Sequence, residues 1–283
     1  MRSRFLLTNS SCMQRCIILV LAEGLQTMVF ELCDVEDLFG QHRLQSKTTK
    51  DYKLVFGESR IEISSVGSAL SYKRYAGADL AAEAMIVSNE DPVMIGVFPI
   101  PPLFTPTAVA KNVFLKFNTP VIVDQRSQAV VYGKMPVEIG IYRQSKDEEV
   151  LLDSFSRKRQ QYALYGSPES GVVCRYIETE VSRNNDDMKP AKYEEASVRI
   201  RIKNDIDNIV KVSKVIIPMD GVVLDHAHDD AWLPGSVEMD LSTSFGKDMV
   251  HVRLMSTKVK RSDKTSIRAR KEEALVFLMD AGY

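Results

Sequence analysis

The residues most able to do chemistry begin with a short polar cluster from Asp225 to Asp230. If the preceding strand continues through it, the imidazoles of His226 and His228 point to one face, because side chains alternate along a strand. Two imidazoles with a carboxylate such as Asp230 could ligate zinc or a similar ion, with a further ligand supplied from elsewhere. The alternative interpretation is a solvated loop that binds no metal ion. A bound metal ion is therefore one of two hypotheses for this cluster.

Two charged residues lie inside otherwise apolar segments, Glu138 within 136–142 and Arg175 within 172–177. A carboxylate in apolar surroundings can act as a general acid or base. The simpler interpretation is that the two side chains form one buried ion pair, or that each faces water. We favour a structural ion pair over catalysis.

A basic run near the C-terminus could bind the phosphates of nucleic acid or of anionic lipid. The run contains Lys258, Lys260, Arg261, Lys264, Arg268, Arg270 and Lys271. It lacks the interleaved aromatic residues that stack on bases, and the whole chain has a net charge of −1, so we do not expect nucleic acid as the partner. A solvated loop between two strands is the more ordinary interpretation of such a charge run.

No intact catalytic motif accompanies these residues. The sequence contains no P-loop, dinucleotide-binding fingerprint, Gly-x-Ser-x-Gly, His-Glu-x-x-His or Cys-x-x-Cys pair. Tyr142, Tyr162, Tyr165 and Tyr176, with Phe155, could line a ligand pocket, although aromatic residues at strand spacing more often belong to a core. We therefore assign no catalytic residue and no cofactor.

The composition predicts the elements that must position these residues. The chain has 283 residues, of which 45% are hydrophobic and 27% charged, the balance of a soluble globular protein. It contains 30 Val against 22 Leu and 18 Ala. Because β-branched side chains fit a pleated sheet better than a helix, this bias predicts a chain made mainly of strands.

Period-two alternation supports an all-β fold, with antiparallel strands stacked as a β-sandwich of two lobes. Turn residues separate the apolar runs at intervals of about eight to twelve residues, as in sandwiches. One or two short helices are predicted, with 77–85 and 154–164 as the candidate segments. The segments 198–202 and 209–218 are expected to pair as a hairpin.

The chain divides into four regions on these patterns. Residues 1–27 read as an artefactual, disordered or signal-like tail, since an apolar run there is too short to span a bilayer. An N-terminal β domain is expected at 28–177, a polar linker or long loop at 178–196, and a C-terminal sandwich-like domain at 197–283. No transmembrane segment is predicted.

Three segments carry a resemblance to a known family: Phe98 to Leu103, Pro136 to Tyr142, and Tyr162 to Pro168 followed by Cys174-Arg175-Tyr176. They resemble an uncharacterised archaeal family, the domain of unknown function numbered 432, over residues 28–283. The resemblance implies an archaeal, cytoplasmic protein. It also suggests a membrane-protein partner, because family members occur near mechanosensitive-channel genes. It implies no activity or cofactor.

The function we expect is non-enzymatic binding or scaffolding through a protein partner. That partner could be a membrane-protein complex or a second copy of this chain. The lack of a catalytic motif and the antiparallel β-architecture favour it. The first alternative is a metal-dependent enzyme centred on His226 and His228. The second is phosphate binding through the basic run at 258–271. We expect exposed edge strands to mark dimerisation or strand addition.

Overall fold

The computed structural model describes residues 37–47, 49, 52–102, 110–146, 148–166, 168–169, 171–244, 247–255 and 275–278. The chain divides into two compact units, Met1–Leu38 and Phe39–Tyr283. Residues 37 and 38 are the described part of the first unit. The strands that the structure describes all lie in the second, and the predicted tail at 1–27 lies outside the described residues.

The described residues form nineteen strands and one short 3₁₀ helix at Asn185–Asp187. The strands before residue 150 are β1 (Gly40–Leu44), β2 (Tyr52–Phe56), β3 (Ser59–Val66), β4 (Ala69–Ala76), β5 (Asp79–Ile86), β6 (Val93–Ile100), β7 (Asn112–Val123), β8 (Gln128–Pro136), β9 (Glu138–Gln144) and β10 (Glu149–Phe155). Those that follow are β11 (Tyr162–Tyr165), β12 (Val172–Thr179), β13 (Glu195–Asn204), β14 (Val210–Pro218), β15 (Asp225–Ala227), β16 (Asp230–Trp232), β17 (Ser236–Ser244), β18 (Lys247–Met255) and β19 (Leu275–Leu278). The all-β prediction is confirmed.

These strands form four sheets. Three contain four strands each, in the orders β1-β6-β9-β10, β2-β3-β4-β5 and β11-β12-β7-β14. The fourth has the order β15-β16-β13-β17-β18-β19, and β8 also pairs with β13. Most pairs are antiparallel, as predicted, but β12 is parallel to β7, and β13 is parallel to both β16 and β17. Parallel pairing needs a long crossover, which sequence-distant strands supply.

The β2–β5 sheet is a meander whose three turns begin at Gly57, Gly67 and Gly77. Their φ angles of 63°, 63° and 61° lie in the left-handed region, where glycine carries no Cβ penalty. Such two-residue turns match the twist of adjacent strands. One face of the sheet is buried, with Ile61 and Ile63 among its fully covered side chains. The turns therefore fix the register through to β5.

The predicted linker at 178–196 does not divide the strands into two sets. β8 precedes it and β13 follows it, yet the two pair over nine residue pairs. β7 and β14 also lie on opposite sides of it in sequence and pair with each other. Because the sheets are shared, the Phe39–Tyr283 unit shows no domain boundary there.

Both predicted helices are wrong. The segment 77–85 forms a turn and most of β5, and 154–164 forms the end of β10, a loop at 156–161 and most of β11. Alanine favours a helix when it is judged locally. In β5 the Gly77 turn and the ladder to β4 override that preference.

The predicted hairpin between 198–202 and 209–218 is also wrong, although both segments are strands. β13 pairs with β8, β16 and β17, whereas β14 pairs with β7. The fully buried Asn204 anchors the loop that joins the two strands. Its Nδ2 donates to the carbonyls of Val123, Asp124 and Asn208 at 3.2, 2.9 and 2.9 Å, which holds the loop after β13 against the end of β7.

A buried polar cluster links β4 to β10. The Tyr72 hydroxyl donates to Asp153 Oδ2 at 2.7 Å, and Arg74 Nε donates to the same oxygen at 2.6 Å. Burial, with the Asp153 carboxylate next in effect, raises the pKa of Tyr72 far above its ordinary value. These contacts tie the β2–β5 sheet to the β1-β6-β9-β10 sheet through one carboxylate.

No helix among the described residues has the length and apolar character that a membrane crossing requires.

Candidate functional site

Glu138 and Arg175 meet in the interior. Glu138 begins β9 with its side chain fully covered, and Arg175 lies in β12 with 3% of its surface exposed. Arg175 Nη2 donates to Glu138 Oε1 in an ion pair. The Arg175 Nε donates to the Pro102 carbonyl at 3.0 Å, and Gln160 Nε2 donates to Glu138 Oε1 at 3.0 Å. The two residues singled out in the sequence thus form a buried, hydrogen-bonded pair.

The surroundings of this pair favour a structural role. Burial lowers the pKa of Arg175 from its ordinary value, and the neighbouring Glu138 carboxylate opposes that shift. An arginine side chain keeps its proton in proteins. Glu138 therefore faces a permanent cation, which suits it to hold β9 against β12 better than to exchange protons with a substrate.

The histidine cluster is arranged differently from the sequence expectation. The strand ends at Ala227, and His228 is the first residue of a tight turn with a φ of 53°. His226 and Asp230 pair with Ala231 and Ala227, respectively, so their side chains point to opposite faces of the small β15–β16 hairpin.

The His226 ring packs against aromatic rings. Its centroid lies 5.7 Å from that of Phe39 and 5.7 Å from that of Phe98. Among the described residues, no three His, Cys, Asp or Glu side chains come together as a metal site. The predicted centre of His226, His228 and Asp230 is therefore not assembled.

The five aromatic residues considered as a pocket do not share one. Their partners differ: Tyr142 lies 6.1 Å from Phe98, Phe155 lies 5.7 Å from Phe56, Tyr162 lies under Arg175 at 4.9 Å, and Tyr165 and Tyr176 lie 5.6 and 5.5 Å from Phe114. Only Tyr176 among the five lines the cleft that opens beside Arg175. The basic run at 258–271 lies outside the described residues.

Cys174 is a fully buried free thiol in β12, and burial raises its pKa to about 11. Because the thiolate is the nucleophile, we expect Cys174 to resist iodoacetamide at pH 8 while the chain is folded and to react in urea. The thiol has a lower pKa in the unfolded chain than in the folded one, so alkaline pH ionises it first in the unfolded chain. This group therefore lowers the free energy of unfolding as pH rises from about 9 to about 11. Peptide mass spectrometry measures the labelling; equal rates with and without urea would contradict the prediction.

β5 is an end strand of the meander, and most of its residues are exposed or half-buried. One of its eight residues is buried, Ile86. Leu80 and Met85 keep 49% and 58% of their surface exposed, and Val87, just after the strand, keeps 74%. The register shifts between β4 and β5 at Ala81, so the ladder is regular from Ala82 onward. Within the described ranges no strand pairs with the outer edge of this stretch, which lies beside exposed apolar side chains.

The family of the chain follows from a comparison with family models, in which the model described as "Protein of unknown function (DUF432)" matches residues 38–280. The chain belongs to the DUF432 family. The match covers all nineteen strands, so the whole sheet system described above is the family domain. Neither the comparison with curated proteins nor that with solved structures gave a match.

In this DUF432 chain, the strand β5 is not expected from local sequence, because its alanines predict a helix. The signal that could have found it is the repeated Gly-x turn. Gly57, Gly67 and Gly77 recur at ten-residue intervals between runs of strand length. A fourth strand after Gly77 continues that spacing, and the last strand of a meander is an edge.

Proposed function

We propose that this DUF432 domain is a non-enzymatic protein-binding module that takes an extended partner segment onto the edge of β5. In strand addition the main chain of the partner extends the sheet, while alternate side chains give specificity. The position of β5 at the end of its sheet, with Met85 and the following Val87 exposed, is the single observation that carries the proposal.

The contrast with another end strand supports this choice. Natural proteins protect sheet edges with lysine, proline, short strands or bulges. β14, which also ends a sheet, carries Lys211, Lys214 and Pro218. β5 has eight residues and no lysine, arginine or proline, and its one irregularity is the bulge near its beginning. An edge left in this state is suited to pairing with another chain.

The charges on β5 indicate which kind of segment would pair with it. Its two ionisable residues are acidic, Asp79 and Glu83. Lys73 Nζ lies 3.4 Å from Glu83 Oε1, so that carboxylate is partly neutralised, whereas no cation of the described residues pairs with Asp79. Two copies of β5 side by side would bring like charges together. A segment with alternating apolar residues and a basic residue fits better, and the family resemblance suggests a cytoplasmic segment of a membrane-protein complex as its source.

The test uses a displayed library of short randomised peptides selected against the whole chain. We expect enriched peptides to contain alternating apolar residues with lysine or arginine. The substitution Met85→Lys places a charge on the exposed edge, and should weaken the selected peptides by at least about tenfold, or about 1.4 kcal/mol. Because Met85 is exposed, this variant should keep the stability of the wild type within about 0.5 kcal/mol.

The matched control is Val55→Lys. Val55 is 55% exposed and lies on β2, the opposite end strand of the same sheet. We expect it to bind the selected peptides as the wild type does. Peptides that bind Met85→Lys with unchanged affinity would refute the proposal. A dimer seen by sedimentation in the wild type and lost in Met85→Lys would show that the occupant is a second copy and that the peptide partner is wrong.

A further inference from the structure

A cleft of about 430 Å³ opens beside the Glu138–Arg175 pair, a volume typical of pockets that hold small organic molecules. The loop 156–161, which joins β10 to β11, forms one wall. The segment 175–178 of β12 forms another. None of the residues of β5 lines this cleft. Binding of a ligand here can therefore be tested separately from binding of a peptide to β5.

The two carboxylates that line the cleft already have cationic partners. Glu178 accepts hydrogen bonds from Lys116 Nζ at 2.9 Å and from the Tyr176 hydroxyl at 2.7 Å. The Lys116 hydrogen bond is the largest of the effects that lower the pKa of Glu178, so this group is ionised at neutral pH. Glu194 Oε1 lies 3.5 Å from Arg157 Nη2. Each of these carboxylates is therefore paired with a cation, and the pairs give the cleft no net negative charge.

The positive charges at the rim of the cleft are less fully paired with carboxylates. Arg159 is exposed and makes no hydrogen bond or ion pair with any residue in the described ranges. Lys158 Nζ lies 3.6 Å from Glu195 Oε1, but 57% of its side chain is exposed, and pairs of this kind contribute little. The rim therefore presents excess positive charge to whatever enters.

We infer that this cleft binds a small organic anion through a carboxylate or phosphate group. Arg159 takes the anionic group, since a guanidinium matches both groups with two parallel hydrogen bonds, and Lys158 adds a second charge. The body of the ligand packs on the apolar part of the wall, formed by Pro102, Pro136 and Ile177.

The experiment is calorimetric titration of the full chain with phenyl phosphate, benzoate, inorganic phosphate and benzyl alcohol. Phenyl phosphate and benzoate distinguish the two anionic groups, inorganic phosphate lacks the apolar body, and benzyl alcohol lacks the charge. We expect at least one of the two aromatic anions to bind more tightly than both inorganic phosphate and benzyl alcohol. Added salt should weaken binding, because the rim charges are exposed.

The decisive variant is Arg159→Gln, which should weaken the bound anion by at least about tenfold, with a smaller loss for Lys158→Gln. The matched control is Arg199→Gln, because Arg199 is likewise exposed and without a partner among the described residues, but lies on β13 away from the cleft lining. Binding that Arg159→Gln leaves unchanged, or that Arg199→Gln reduces equally, would overturn the inference. So would the absence of binding by all four probes at about 10 mM.

Discussion

Replacing Arg175 by methionine should lower the free energy of unfolding by about 3–5 kcal/mol, because breaking a buried ion pair leaves the other charge uncompensated. The carboxylate left behind is Glu138, whose side chain is fully covered. The substitution also removes the donor to the Pro102 carbonyl. A loss of this size is a large fraction of the stability of a typical domain. Glu138→Ala should be destabilising for the same reason, since it leaves the buried guanidinium.

Urea unfolding followed by circular dichroism measures this effect. Combining Glu138→Leu with Arg175→Met removes both charges, so the double variant should recover more than half of the loss. The control is Lys116→Met, which breaks the solvent-exposed pair with Glu178 and should leave the urea midpoint close to that of the wild type. If Arg175→Met unfolds at the same urea concentration as the wild type, the pair does not hold β9 to β12.

The second large effect is expected for Asp153→Ala, which should cost about 2–4 kcal/mol. The change removes the acceptor for the buried Tyr72 hydroxyl and for the guanidinium of Arg74. Both donors would then lie on β4 without that partner, so the penalty is larger than that of one lost surface contact. Asp153→Asn keeps an acceptor oxygen but not the charge, and should recover part of the loss.

The same urea titration provides the comparison. Asp207→Ala breaks an equally short pair, with Arg126 Nε and Asp207 Oδ1 2.7 Å apart, but both side chains are mostly exposed. It should leave the urea midpoint close to that of the wild type. Equal losses for Asp153→Ala and Asp207→Ala would mean that burial does not strengthen the β4–β10 link.

The strands of this fold could be predicted from sequence because their signal is local. In β13 the buried Val198, Ile200 and Ile202 alternate with more exposed charged residues, and two-residue alternation alone identifies such a strand. The strand partners could not be predicted in the same way. β13 pairs with β8 and not with β14, and that choice depends on long-range packing, which the local alternation of residues does not encode.

The same distinction between local and long-range information applies to the candidate site. A glutamate and an arginine within apolar runs indicate burial, and a buried charge needs an opposite charge, so Glu138 and Arg175 could be matched from sequence. His226 and His228 could not be placed, because the strand ends at Ala227, in a turn that the composition does not mark. β5 was missed because alanine propensity is a local property, whereas its strand state comes from the ladder to β4.

Hydrogen–deuterium exchange of the whole chain, with and without a selected peptide, tests most directly whether β5 receives a partner strand. If the peptide extends the sheet, the alternate amides of the segment 79–87 that point away from β4 gain hydrogen-bond partners. We predict that their exchange slows on binding while that of β2 at the opposite edge is unchanged. Saturating peptide that leaves exchange in 79–87 unaltered, or that protects a different strand, would contradict strand addition at β5.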